Sequence, residues 1–321
     1  MKMYHFKVGK QKNSGSYVGF DLDGTLIQTK SGKTFPEDKN DWKFKFDNVP
    51  QKLQSLKEDI IIITNQGGKN FNIKEFKEKI LDIHEKIGTS FRIYIATEND
   101  RYRKPCTGIY DDYISKKGKL LMYIGDAAGR KGDHSDTDYK LSINLNISFQ
   151  TPELFFLGKD EGKTKISYPV FPEVDNIYKP EKELVILVGM PGSGKSWYCK
   201  TYFPHYERIN QDQLKTKDKC VKMCEDKMKK KQKIVIDNTN PGYDTRKEYI
   251  NLAKKYDYEF EVIHINTSEQ CSKHNMMSRS YKEKQSFISS VAYNVYKGKL
   301  DLKGVTRTIL LPPPSDIKYY F

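Results

Sequence analysis

Along this chain, runs of consecutive apolar residues alternate with longer polar stretches whose apolar positions recur every three or four residues. The first kind reads as strands buried on both faces, the second as amphipathic helices. Strand-type runs lead into Asp21, cover Asp59–Asn65, Phe91–Ala96 and Leu120 to Ile124, and return at Leu184–Val188, Arg208–Ile209, Lys233–Asp237 and Tyr258–Ile265. Ile73, Phe76, Ile80, Ile83 and Ile87 mark a helix over 73–87. Further helices are expected from the glycine-rich turn after Val188 to about Pro204, and over 244–255. One more carries Leu214, Val221, Cys224 and Met228 on a single face. Thr267-x-x-Gln270 has the spacing of a capping box opening a last helix. Residues up to about Ser14 are polar and basic without a period and read as a short arm. Between Gly158 and Lys179 the periodicity fails, and Pro169, Pro172 and Pro180 punctuate a linker. The expected fold is α/β: two domains, 1–157 and 181–321, each a mainly parallel sheet flanked by helices, joined by a linker over 158–180.

Composition fits that picture. At 321 residues two ordinary domains are expected, and 12% aromatics supply core material although 31% of residues are charged. A formal charge of +14 favours a polyanionic partner, though a lysine-rich proteome would give the same bias. The five cysteines form no C-x-x-C pair, and Cys220 and Cys224 sit at helical spacing on one expected buried face, so reduced thiols are expected. There is no apolar stretch of signal-peptide type, and the longest aliphatic run, Ile60 to Ile63, is far too short to span a bilayer. A soluble intracellular protein, of nucleus or cytoplasm, is expected, with no membrane association.

Candidate chemistry is concentrated at two places. Gly189, Gly194, Lys195 and Ser196 fill the spacing G-x-x-x-x-G-K-[ST] between a strand and a helix, with Gly192 inside it. Such a loop lets backbone N–H groups converge on phosphate oxygens, Lys195 reach the β and γ phosphates, and Ser196 ligate Mg²⁺. This is an ATP or GTP site. At the other place, Asp21-x-Asp23 follows a buried strand. Alone, an Asx turn would account for it; but Thr64 and Asp126 end two further strands, where parallel sheets gather their sites, and Lys104 offers a cation. Paired carboxylates beside Mg²⁺ suit a nucleophilic aspartate and a general acid.

Asp21-x-Asp-Gly-Thr, Thr64, Lys104 and Gly125-Asp126 together resemble the haloacid-dehalogenase phosphohydrolases. Ser31-Gly-Lys, Phe35-Pro, Asp41-Trp42, Thr64-Asn-Gln, Arg103-Lys-Pro, Gly125-Asp-Ala-Ala-Gly-Arg and Thr151-Pro-Glu-x-Phe-Phe156 narrow this to the phosphatase half of the polynucleotide kinase 3′-phosphatase family. Val188-Gly-x-Pro-Gly-x-Gly-Lys-Ser, Ile209-Asn-x-Asp, Val235-Ile-Asp-Asn-Thr-Asn-Pro and His274-Asn resemble its kinase half. The resemblance implies a haloacid-dehalogenase-like Rossmannoid domain followed by a P-loop NTPase-like domain. It implies that Asp21 becomes phosphorylated, that Asp23 serves as acid and then base, and that Thr64 and Lys104 steady the phosphoryl group. Asp21, Asp126 and the Asp23 backbone carbonyl would hold Mg²⁺, with Asp138 in support and Asp133 and Asp136 as solvated loop acids. In the second domain it implies Asp212 as base for a 5′-hydroxyl and Arg279 as cation over the γ-phosphate. Met276 and Met277 replace polar residues of the family's usual run there, and Gln211 stands where the family has arginine. His274 reads as a hydrogen-bonded structural histidine, and Asn238 and Asn240 as residues ordering a nearby loop.

The expectation is a bifunctional end-healing enzyme, with Mg²⁺ and ATP, acting on DNA ends, or RNA ends, as a monomer working with a ligase. A small-metabolite phosphatase/kinase fusion and an inactive end-binding scaffold are the alternatives. The forkhead-associated domain of animal members has no counterpart here, so docking to phosphorylated scaffold proteins is not expected.

Overall fold

The computed structural model describes residues 3–68, 71–160, 162, 164–166, 169–174, 177–284, 287–312 and 318–319. The chain forms two compact units, one mainly from Met1–Tyr168 and the other mainly from Pro169–Arg279 and Ile288–Ile317.

In chain order the first unit contains β1 (Met3–Val8), β2 (Ser16–Phe20), β3 (Ile27–Gln28), β4 (Lys43–Phe44), α1 (Val49–Ser55), β5 (Asp59–Asn65), α2 (Ile73–Ile87), β6 (Phe91–Ala96), β7 (Lys119–Ile124), α3 (Thr137–Leu145), β8 (Ser148–Gln150) and α4 (Pro152–Leu157). Its sheet runs β1-β6-β5-β2-β7-β8, parallel except for β1 at the edge, and β3 and β4 form a separate small ribbon. Successive residues of β5 go to opposite cores. Ile60 and Ile62 pack with Phe20, Ile80 and Ile83 beneath α2; Ile61 and Ile63 pack with Tyr94 and Tyr123 on the other face. Burial on both faces is why the run needs no polar alternation. Asn72 caps α2 by accepting from the Lys74 N–H, and Gly88, with φ 71°, ends it.

The basic arm is instead the strand β1, antiparallel to β6 from Met3 opposite Ala96 to Val8 opposite Phe91. Tyr4, Phe6 and Val8 alternate inward while His5 and Lys7 face solvent, a period of two too short to stand out among lysines. The carboxylate of Asp59 holds the turn after β1, accepting from the Lys12 and Ser14 N–H groups and the Ser14 hydroxyl.

The second unit contains β9 (Leu184–Val188), α5 (Lys195–Tyr202), β10 (Glu207–Ile209), α6 (Gln211–Leu214), α7 (Lys217–Lys229), β11 (Ile234–Ile236), α8 (Tyr243–Lys255), β12 (Phe260–Ile265), α9 (Glu269–Lys282), α10 (Ser290–Lys299) and β13 (Arg307–Ile309). The sheet order is β10-β11-β9-β12-β13 and every pairing is parallel. Two expected helices change shape. The helix read through Leu214 breaks in two: Lys215 takes φ 74°, and the Thr216 side chain accepts from Lys219 N–H to start α7. Cys220, Cys224 and Met228 form the buried face of α7. At α9, Ser268, not Thr267, supplies the capping oxygen, accepting from Cys271 N–H at 3.2 Å. Thr267 donates instead to the Ser193 carbonyl at 2.8 Å.

Between α4 and β9 there is no helix or strand among the described residues; 161, 163, 167, 168, 175 and 176, within the expected linker, lie outside them. All five cysteines are buried. No described helix is long and apolar enough to cross a membrane.

Candidate active sites

Three adjacent parallel strands, β5, β2 and β7, deliver Thr64, Asp21 and Asp126 to one end of the first sheet. Asp21 leaves β2 with its N–H donating to the Ile124 carbonyl at 2.8 Å. Lys104 enters from the loop after β6, and its ammonium lies 2.6 Å from Asp21 Oδ1, 2.7 Å from Asp138 Oδ1 and 3.1 Å from the Tyr123 hydroxyl. Asp21, Asp126 and Asp138 each offer an oxygen, all within 4.8 Å of one another. Two glycines make room: a Cβ on Gly24 would stand 2.4 Å from Asp126 Oδ2, and one on Gly125 2.2 Å from Asp138 Oδ2. Gly24 also has φ 78°.

Three carboxylates around one ammonium leave an excess of negative charge in a buried place. Burial pushes the Asp21 carboxyl up to about 7, against the pull of Lys104 and with help from Asp138. Burial, then Asp21, pushes Asp126 up to about 6. Asp138 is also raised, burial leading. Burial works against the Lys104 ammonium, but Asp138 and Asp21 carry it well above the usual lysine range. Such a cluster favours an added cation, and a hard oxygen donor set suits Mg²⁺. The side chain of Asp23 turns away from it. Its Oδ2 accepts from Gln66 Nε2 at 2.6 Å, and its Oδ1 lies 3.6 Å from the ammonium of Lys79. The same Gln66 nitrogen donates to Thr64 Oγ1 at 2.9 Å. Asp133 and Asp136 are not solvated: Asp133 accepts from the N–H groups of Ala128 and Arg130 and pairs with the Arg130 guanidinium, and Asp136 pairs with Lys140 at 3.0 Å.

In the second unit the loop after β9 has the shape its glycines permit. Gly192 and Gly194 take φ 80° and 95°, Gly194 capping α5, and a Cβ on Gly189 would meet Ser193 Oγ at 2.5 Å. Lys195 curls over the loop, its ammonium 2.7 Å from the Gly189 carbonyl and 2.8 Å from that of Met190. Burial brings this amine down to about 8. Ser196 donates to Asp237 Oδ2 at 2.7 Å, at the end of β11. Asp237 Oδ1 is buried and has no hydrogen-bond donor among the described residues, an oxygen of the sort a metal or its water would satisfy. Asp212 is exposed at the start of α6, where Asn210 accepts from its N–H, and Arg279 is exposed on α9; both bear on the charge of Lys195. Gln211 N–H donates to Asn238 Oδ1 at 2.7 Å, and Asn240 Nδ2 to the Leu187 carbonyl at 2.8 Å. Met276 is buried against Gly192, which explains an apolar residue there. His274 is buried with its ring edge-on to Phe171, centroids 5.5 Å apart.

A family model described as Polynucleotide kinase 3 phosphatase matches residues 16–156, and one described as AAA domain matches residues 184–301. The Bifunctional polynucleotide phosphatase/kinase of Schizosaccharomyces pombe is 37% identical to this chain, over 94% of it and 80% of the yeast protein. This chain belongs to the bifunctional polynucleotide phosphatase/kinase family. A protein of Acanthamoeba polyphaga mimivirus is 36% identical over 87% of the chain and 79% of its own length. The Polynucleotide 3′-phosphatase ZDP of Arabidopsis thaliana is 30% identical over 45% of this chain and 24% of its own. Phosphatase and kinase families of this kind generally use Mg²⁺ and ATP.

Within this bifunctional phosphatase/kinase, several contacts were not evident in the sequence. Asn65 grips Lys104 by its backbone, accepting from its N–H at 2.9 Å and donating to its carbonyl at 3.0 Å. Lys79 occupies a core position of α2, three residues after Phe76, where it is 6% exposed and its ammonium lies 3.6 Å from Asp23 Oδ1. Asp237 had a readable signal, an acid ending a buried strand of a phosphate-loop fold. Arg208, which grips it, had none. Asn65→Ala is expected to slow 3′-phosphatase turnover roughly a hundred-fold by loosening Lys104, the usual scale for a misplaced catalytic group. Kinase turnover should be unchanged; equal loss of both would point to general unfolding.

Proposed function

We propose that the two halves heal nucleic-acid ends, residues 1–157 removing 3′-phosphates and 181–321 phosphorylating 5′-hydroxyls, with 158–180 as linker. The observation that carries this reading is the buried Asp21–Lys104–Asp138 arrangement on the same chain as a phosphate loop seated on Asp237. In the first half, an Asp21 oxygen attacks the phosphorus as the bond to the 3′-oxygen breaks, and Asp23 supplies that oxygen with a proton. Water then attacks the aspartyl phosphate, giving its proton to Asp23 and releasing inorganic phosphate. Lys104 and Thr64 stabilise the transferring group. Asp21 and Asp126, with Asp138, would hold Mg²⁺, which supplies charge neutralisation to the phosphoryl oxygens. In the second half, Asp212 takes the proton of the 5′-hydroxyl while its oxygen attacks the γ-phosphorus of ATP and ADP leaves. Gly189, Gly192, Gly194 and Lys195 cradle the phosphates, Arg279 offsets charge on the γ-phosphate, and Ser196 with Asp237 would hold the kinase Mg²⁺.

DNA ends awaiting a ligase are the preferred substrate, and the net charge of +14 suits a polyanion. The test is one labelled strand bearing a 5′-hydroxyl and a 3′-phosphate, offered as DNA and as RNA with Mg²⁺ and ATP. Asp21→Asn should remove the phosphatase by at least ~10³-fold and spare the kinase, and Lys195→Ala should do the reverse. Wild-type protein leaving both ends unchanged would sink the assignment.

A further inference from the structure

Asp237 presents an unusual distribution of partners. Its Oδ2 accepts three hydrogen bonds, from Ser196 Oγ at 2.7 Å, Arg208 Nε at 2.8 Å and Arg208 Nη2 at 2.5 Å, while its buried Oδ1 accepts none among the described residues. Arg208 comes from β10, two strands from the phosphate loop, and its Nη2 also lies 3.4 Å from Ser196 Oγ. The carboxylate is therefore neutralised from one side and left open on the other. An acid beside a phosphate-binding loop is awkward when no metal is bound, since its charge repels the polyphosphate that the loop is built to receive.

We propose that Arg208 is a positioning residue for the kinase half, a resident counter-ion that fixes Asp237 and lets nucleotide bind before metal. Held by Arg208, Asp237 keeps its Oδ2 on Ser196 and leaves its Oδ1 to a metal, which it would help to hold. With the guanidinium in place the pair carries no net charge, and the loop's N–H groups and Lys195 decide the affinity for phosphate. Without it, a buried unit charge faces the nucleotide until Mg²⁺ offsets it. This inference rests on the reading of the second half as an ATP site.

The experiment measures ATP binding by calorimetry in EDTA and in excess Mg²⁺, for the full chain and three variants. Arg208→Met should weaken metal-free ATP roughly ten-fold or more, the scale of one uncompensated buried charge at several ångströms. In Mg²⁺ it should lose no more than about three-fold, because the dication offsets the unpaired charge. Arg208→Lys should stay near wild type in both. Adding Asp237→Asn to Arg208→Met should restore metal-free binding, which a merely structural defect would not do. Equal losses with and without metal, or no recovery in the double variant, would overturn the proposal while leaving the ATP site intact. Failure of the wild type to bind ATP in Mg²⁺ would overturn the site and the role of Arg208 with it.

Discussion

Lys104→Met should abolish 3′-phosphatase activity, by about a thousand-fold or more, and lower the thermal midpoint of the metal-free protein. The ammonium is the cation shared by Asp21 and Asp138, at 2.6 and 2.7 Å, and it is all but inaccessible to solvent. Methionine keeps the bulk and removes the charge, leaving Asp21, Asp126 and Asp138 to repel one another in a buried place. Breaking a buried ion pair from one side costs about 3–5 kcal/mol. Part of that will be relieved by protonation, since Asp21 and Asp126 already sit high, at about 7 and about 6. Added Mg²⁺ should narrow the gap in midpoint between variant and wild type, because a dication supplies charge to the same oxygens. Scanning calorimetry in EDTA and in Mg²⁺ reads this directly. A variant as stable as wild type in EDTA would mean that Lys104 does not organise the cluster.

Arg246→Met should unfold the kinase half at markedly lower urea, with a loss of about 3–5 kcal/mol. Arg246 is wholly buried on α8, and its four hydrogen bonds go to backbone carbonyls: Nη1 to Asn240 and Pro241 at 2.8 and 2.9 Å, Nη2 to Asp301 and Lys303 at 2.5 and 2.7 Å. One guanidinium thus ties the loop after β11 to the segment before β13. Removing it takes a donor from four carbonyls at once, of which Pro241 keeps the Asp301 N–H at 2.9 Å. The loop also touches the phosphate site, with Gly189 N–H donating to the Thr239 carbonyl at 3.1 Å, so ATP affinity should fall as well. The two tryptophans make the measurement clean: Trp42 lies in one unit and Trp197 in the other, so a Trp42→Phe background reports the kinase half alone. An unshifted transition in that background would refute the role given to Arg246.

The strands were legible wherever burial on both faces leaves a bare apolar run, and β5, β6 and β9 begin and end where the pattern says. The phosphate loop and Asp21-x-Asp23 were legible because their spacing is dictated by the shape of a phosphate. What escaped is what tertiary partners decide. Lys79 sits at a core position of α2, and nothing local says that Asp23 will be there to meet it. Lys215 breaks a helix that its own propensity would continue, because Thr216 offers a cap. Asp133 looks like a loop acid until Arg130 folds back on it. β1 lacks a strong local signal because an edge strand needs only three inward residues, Tyr4, Phe6 and Val8.

Gly192 carries a last consequence. A Cβ there would stand 2.1 Å from the Ser272 carbonyl, and Asn275 Nδ2 donates to the Gly192 carbonyl at 2.9 Å. α9 therefore lies directly on the phosphate loop, and Arg279, one turn beyond Asn275, rides on the same helix. Loop and arginine are parts of one wall, set when the chain folds. In the role over the γ-phosphate proposed for Arg279, the entropy of positioning it is then lost once per protein molecule, and not again at every turnover.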